Sequence, residues 1–213
     1  MSSVKIGVLI SGGGTNLQSL IDSINDGNIN GEIVLVISDN KKAYGLKRAE
    51  KNGIDNMYIN RLEYDSSDDY NEVIIEKMKE KKVELVVLAG YLKILNEKFV
   101  KKYQNKIINI HPSLIPSFCG KGYYGTKVHK ACLDYGVKVT GATAHFVDKG
   151  TDTGPIILQR VVNIDNEDTV KSLKEKVLKV EHKILPEAVR LYCEGKIELK
   201  KQNNRFVTKI RRG

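Results

Sequence analysis

Three near-continuous apolar runs, at residues 4–10, 32–37 and 85–89, alternate with amphipathic helical patterns and predict an α/β protein built on a mostly parallel sheet. Such runs carry Val, Ile and Leu at successive positions because helices cover both faces of the strand. Between the first two, Leu17, Leu20, Ile21 and Ile24 recur at i, i+3, i+4 and i+7, which predicts a helix over 16–25. Over 70–82, Tyr70, Val73, Ile74 and Met78 share a helical face and Glu76, Lys79, Glu80 and Lys82 are left for water. Parallel strands joined through helices take right-handed crossovers, so the expected architecture is Rossmann-like, a single doubly wound domain with helices on both faces of the sheet.

The first strand gives way to Ser11-Gly12-Gly13-Gly14-Thr15-Asn16-Leu17. A glycine turn entering a helix exposes backbone N–H groups at the positive end of the helix dipole, which suits a phosphate. The other reading is a tight turn in which glycine supplies unusual φ values and Thr15 or Asn16 caps the helix. Leu17 stands where a dinucleotide fingerprint has its third glycine, and no Gly-Lys-Ser/Thr follows, so neither a nicotinamide enzyme nor a nucleotide-hydrolysing motor is expected.

The second half changes character. Residues 137–148 and 155–162 read as longer strands, and 170–192 as a long helix that Pro186 is expected to kink. From Gly195 a basic tail with Ile197, Leu199, Phe206, Val207 and Ile210 reads as a short hairpin or a frayed end. The organisation expected is one domain over 1–194 with 195–213 as a short extension.

Composition narrows the class. At 213 residues, 41% hydrophobic and 29% charged, the chain has enough apolar surface for one folded core. Three cysteines, Cys119, Cys132 and Cys193, with no CxxC pair, argue against a disulfide framework and for a reducing compartment. No apolar stretch approaches the ~20 residues that span a bilayer, so a cytoplasmic protein without a membrane partner is expected. A formal charge of +9 favours an anionic partner. No zinc-finger, RRM or KH pattern accompanies it, so nucleic acid is not the expected one. His129 and His182 fit helix surfaces, His145 falls in a strand, and none makes a metal-ligand spacing, so no metal is expected.

Asn109-Ile110-His111-Pro112 ends an apolar strand, where an α/β sheet presents its chemistry, and residues two apart on a strand point to one face. An amide donor beside an imidazole suits acyl transfer, in which an oxyanion develops and a proton moves near neutral pH. Asp152, on the loop from Gly150 to Pro155, is a candidate carboxylate to set the charge of His111. The plainer reading makes Asn109 a turn cap and His111 a hydrogen-bonded strand-end histidine.

Together, residues 11–17, Leu88 to Leu95, Asn109 to Pro116, His145-Phe146-Val147 and Asp152 to Pro155 resemble the folate-dependent formyltransferase family, in the same order along roughly 190 residues. The resemblance implies transfer of a formyl group from 10-formyltetrahydrofolate to the amine of glycinamide ribonucleotide. It implies that Asn109 stabilises the oxyanion, His111 carries the proton and Asp152 orients His111. Gly14, Thr15, Asn16 and Leu17 would hold the substrate's phosphate end, and Glu181 its ribose or amide. Leu92, Lys93, Ile94 and Leu95, with Asn109 and the loop 147–152, would meet the folate. The partners implied are small molecules, and the protein would be a monomer or homodimer. Two positions depart from the family pattern: Ser67 stands where many members place Arg, and Leu178 where some carry Gln. Branches of the family with an additional terminal domain fit this length poorly.

Overall fold

The computed structural model describes residues 3–211. The first two residues and the last two of the basic tail lie outside the described residues. The chain divides into two compact units, Met1–Ile108 and Asn109–Gly213. Strand β5 (Ile107–His111) runs across the division.

The first unit holds β1 (Val4–Ile10), α1 (Thr15–Asn25), β2 (Gly31–Ser38), α2 (Tyr44–Lys51), β3 (Asn56–Tyr58), a 3-10 turn (Arg61–Glu63), α3 (Ser67–Glu80), β4 (Leu85–Leu88) and α4 (Glu97–Lys102). β1 pairs in parallel with β2 on one side and β4 on the other, and β2 pairs in parallel with β3. That central place explains its unbroken apolar run: Ile6, Val8, Leu9 and Ile10 are fully buried, each contributing about 1.5–3 kcal/mol of burial. Gly7 interrupts the run because the Met78 side chain from α3 occupies the space a Cβ would take.

α3 begins at Ser67, three residues before the first residue of its apolar face. The Ser66 hydroxyl accepts from the Asp69 N–H at 3.1 Å, and Asp68 and Asp69 sit in the positive first turn. The helix ends at Glu80, followed by Lys82 in the left-handed region at φ 54°.

The second unit holds α5 (Thr126–Tyr135), β6 (Val139–Phe146), β7 (Ile156–Asn163), α6 (Val170–Cys193), β8 (Ile197–Gln202) and β9 (Arg205–Ile210). β6 and β7 are antiparallel, from Val139 opposite Asn163 to His145 opposite Ile156. A capping box between Thr169 and Ser172 opens α6, which runs through Pro186 as one helix. Its inner face, Leu173, Val177, Ile184, Leu185, Ala188 and Val189, is fully or almost fully buried, and that packing carries the helix past the missing N–H. The tail is a hairpin rather than a frayed end: β8 and β9 pair antiparallel, and the Thr208 hydroxyl donates to the Ile156 carbonyl at 2.5 Å.

Among the described residues the first unit's strands lie in the order β3-β2-β1-β4, and in the second unit β6 neighbours β7, with the hairpin as a separate two-stranded sheet. The α/β class with a mostly parallel sheet is therefore the observed one, and no helix among the described residues is long and apolar enough to cross a membrane.

Candidate active site

In the first unit, β1 ends in the glycine turn, and α2 holds that turn from outside. The Gly45 N–H donates to the Gly12 carbonyl at 3.1 Å, and Arg48 Nε donates to the Gly13 carbonyl at 2.9 Å. With those two carbonyls tied to α2, the N–H groups of Gly13 and Gly14, across the same peptide planes, are directed the opposite way. Gly14 itself, not Thr15 or Asn16, is the N-cap of α1, in the left-handed region at φ 69° with no side-chain capping bond. A Cβ on Gly14 would stand 2.5 Å from the Gly45 Cα. Gly12 and Gly13 border open space, and no acidic residue occupies the first turn of α1. Leu17 is fully buried and Asn16 nearly so, so Leu17 meets the turn only through its backbone.

Ser11 links the turn to the segment after β4, its N–H donating to the Gly90 carbonyl at 3.2 Å and its hydroxyl accepting from the Leu92 N–H at 2.9 Å. Leu92, Lys93 and Ile94 line an open pocket of about 340 Å³ with Arg61, Ser67 and Tyr70. Leu92 and Ile94 are exposed apolar side chains, 56% and 69% accessible, while Leu95 turns into the core. Lys93 Nζ lies 3.8 Å from the largely buried Asp39 carboxylate. Ser67 is on the wall where the family pattern has Arg, and Arg61 stands beside it, a residue that carries no motif and so escaped the sequence reading.

In the second unit the cluster is tighter. Asn109 and His111 leave β5 on one face, and Asp152 approaches from the loop before β7, held at φ 57°. Its Oδ2 lies 3.5 Å from His111 Nδ1 and accepts from the Gly120 N–H at 2.9 Å. His111 Nε2 donates to the Phe118 carbonyl at 3.0 Å. His145, on β6, joins the set, which its strand position alone did not indicate. Its Nδ1 donates to the Phe146 carbonyl at 2.8 Å, so Nε2 of the neutral ring accepts from the Asn109 amide at 3.1 Å. The same Nε2 stands 3.6 Å from Asp152 Oδ1. Asn109 thus has one amide hydrogen anchored and a second one spare.

Burial pulls the His111 imidazole below its ordinary value, against the Asp152 charge and the Phe118 carbonyl, which favour the protonated ring. Burial raises the Asp152 carboxyl, but the neighbouring His145 ring, the His111 charge and the Gly120 N–H outweigh it and hold the group below the usual carboxylate range. The result is an imidazole that is neutral near pH 7 beside a permanent carboxylate. Glu181 lies on α6 and is buried, 8% exposed. His129 is likewise inside, 3% exposed on α5, because the face it shares with Val128 and Cys132 packs inward. Among the described residues no group of three or more His, Cys, Asp or Glu is placed to hold a metal ion.

Residues 4–189 match the family model described as formyl transferase. A chloroplastic phosphoribosylglycinamide formyltransferase of Arabidopsis thaliana is 38% identical over 195 residues, which cover 91% of this chain and 67% of that protein. The human trifunctional purine biosynthetic protein adenosine-3 is 42% identical over 195 residues, 92% of this chain but 19% of its own length. The chain thus spans about a fifth of the vertebrate trifunctional relatives it matches. Among solved structures, glycinamide ribonucleotide transformylase 1 from Symbiobacterium toebii superposes with a TM-score of 0.91 at 41% identity, over 98% of this chain and 94% of that one. A phosphoribosylglycinamide formyltransferase from Anaplasma phagocytophilum gives 0.87 at 38% identity, over 98% and 94%.

Proposed function

The chain belongs to the formyl transferase family, and from that premise we propose that it transfers a formyl group from 10-formyltetrahydrofolate to the amine of glycinamide ribonucleotide. The observation that carries the reading is the polar set of Asn109, His111, His145 and Asp152, which supplies an oxyanion donor and a proton carrier in a largely buried setting. The acceptor amine attacks the formyl carbon directly. The carbonyl oxygen takes the negative charge and meets the spare amide hydrogen of Asn109, whose other hydrogen is fixed on His145. Neutral His111 takes the proton the amine must lose. Collapse breaks the carbon–nitrogen bond to the folate, and the same proton goes to the departing nitrogen, so one proton is carried and none is consumed. Asp152 stabilises the imidazolium in between. No covalent intermediate is needed, which leaves Cys119 and Cys132 without a part in the chemistry.

The turn supports binding of the substrate phosphate at Gly14, Thr15 and Asn16, since the Gly13 and Gly14 N–H groups point away from the carbonyls that α2 holds and lie at the start of α1. The pocket of Leu92, Lys93 and Ile94 suits the donor: an apolar lip for the folate body, and two cations, Arg61 and Lys93, for its carboxylates. Arg61 is then the residue that replaces the missing arginine at Ser67. Free thiols at Cys119 and Cys132 support a reducing compartment, in keeping with a cytoplasmic enzyme.

The test is a spectrophotometric assay of the purified chain with a 10-formylfolate donor and glycinamide ribonucleotide, run beside His111→Ala and a control without acceptor. Turnover that requires the acceptor and is lost in the variant supports the assignment. Donor consumption without acceptor, or full activity in His111→Ala, defeats it.

A further inference from the structure

Both ring nitrogens of His111 face acceptors, Asp152 on one side and the Phe118 carbonyl on the other. We propose that Phe118 is a positioning residue for the reaction: an aromatic clasp formed with Tyr123 and Tyr135 seats its backbone carbonyl on His111 Nε2 and so decides which nitrogen of the neutral ring carries the proton. The inference rests on the reading of His111 as the proton carrier.

The backbone at Phe118 is the first reason. Its φ is 49°, a left-handed conformation that residues with a bulky side chain seldom adopt unless their surroundings hold them there. The surroundings are visible. The Phe118 ring meets Tyr123 edge-on at 6.3 Å between centroids and 70°, and Tyr135 at 5.9 Å and 78°. Edge-to-face contacts of this kind are attractive as well as apolar. On either side the loop is pinned through its backbone, by the Ser113 hydroxyl donating to the Ser117 carbonyl at 2.6 Å and by the Gly120 N–H donating to Asp152.

Chemistry supplies the second reason. A carbonyl only accepts, so Nε2 must bear hydrogen whenever the bond to Phe118 is made. A histidine beside a carboxylate alone would place its single proton on the side of the carboxylate, here Nδ1. Phe118 therefore competes with Asp152 for the one proton of the neutral ring, and only the imidazolium satisfies both acceptors. Other titratable groups facing His111 are His145 from β6 and His129 from α5, with Lys174 of α6 acting on His129. None of these offers Nε2 a competing acceptor in the structure. Loosening the clasp removes one of the two acceptors, moves the neutral proton toward Nδ1 and makes the imidazolium harder to form.

Tyr135 is 80% exposed, so it can be altered without opening the core. The experiment is nitrogen-15 imidazole spectroscopy on the full chain across a pH series, with the pH profile of kcat measured alongside, for wild type, Phe118→Ala, Tyr135→Ala and Tyr135→Phe. Wild type is expected to show the Nε2–H tautomer. Phe118→Ala and Tyr135→Ala are expected to shift population to Nδ1–H and to lower the His111 pKa by roughly half a unit to one unit, with the acid limb of kcat moving equally. Tyr135→Phe, which keeps the ring, should match wild type. Wild-type tautomer and pKa in both alanine variants would overturn the clasp, whereas full turnover in His111→Ala would instead overturn the catalytic reading beneath it.

Discussion

At the scale of single residues, the division of labour proposed for Asn109, His111 and Asp152 makes separable demands. Asn109→Ala removes a donor that matters most once the oxyanion has formed, so kcat should fall about 100- to 1000-fold while the KM for both substrates moves little. Steady-state kinetics with each substrate varied will show it, and an effect confined to KM would make Asn109 a ground-state contact. The proposed mechanism requires a neutral His111 to take the amine proton. Since burial, the largest influence, lowers its pKa, the rate should be lost as pH falls through a value below the ordinary 6.5. A pH profile of kcat with its acid limb above 6.5 would contradict that environment. These three candidates could be picked from the chain because each falls in a short motif at a strand end or a glycine-bounded loop. His145, Phe118 and Arg61 were not legible. His145 meets Asn109 from another strand, the Phe118 carbonyl meets His111 through a loop backbone, and Arg61 shares a pocket wall with residues from another part of the chain, and neither spacing nor periodicity encodes those placements.

At the scale of elements, β1, α1, β6, β7 and α6 could be read from periodicity to within three residues, since each is long enough to repeat its pattern. α2, β3, α4 and α5 were not assigned. β3 has three residues and α4 six, too few for either period to declare itself, and α5 carries a histidine and a cysteine on its inner face where longer apolar side chains would have marked it. That inner histidine has a consequence. His129 is buried with Nδ1 lacking a partner, and burial first, then Lys174 and His111, lowers its pKa to about 4. The unfolded chain takes up this proton from about pH 6.5 downward and the folded one does not, so stability should fall across the window from 6.5 to about 4, by about 3 kcal/mol from this group. Denaturant titrations of wild type and His129→Gln through that window check the sign: the variant should lose most of this slope, and an unchanged slope would place the dependence elsewhere.

At the scale of the whole molecule, a formal charge of +9 and the two anionic small-molecule substrates proposed for the chain imply long-range attraction. Raising ionic strength from about 0.05 to 0.5 M should raise KM several-fold and leave kcat nearly constant, because screening reaches diffusive encounter and exposed contacts but barely touches a buried dyad. Equal losses in both constants would point to a salt-sensitive fold instead. The α/β class with its mostly parallel sheet was predictable from three apolar runs, yet the division into two compact units was not, since no linker or composition change marks residue 108. The most direct test of the central claim is a single incubation of the chain with a donor carrying a carbon-13 formyl group and with glycinamide ribonucleotide, followed by mass spectrometry of both small molecules. Label found on the acceptor amine, with the folate deformylated in equal amount, is the predicted result. Label released as free formate, or retained wholly on the folate, would contradict it.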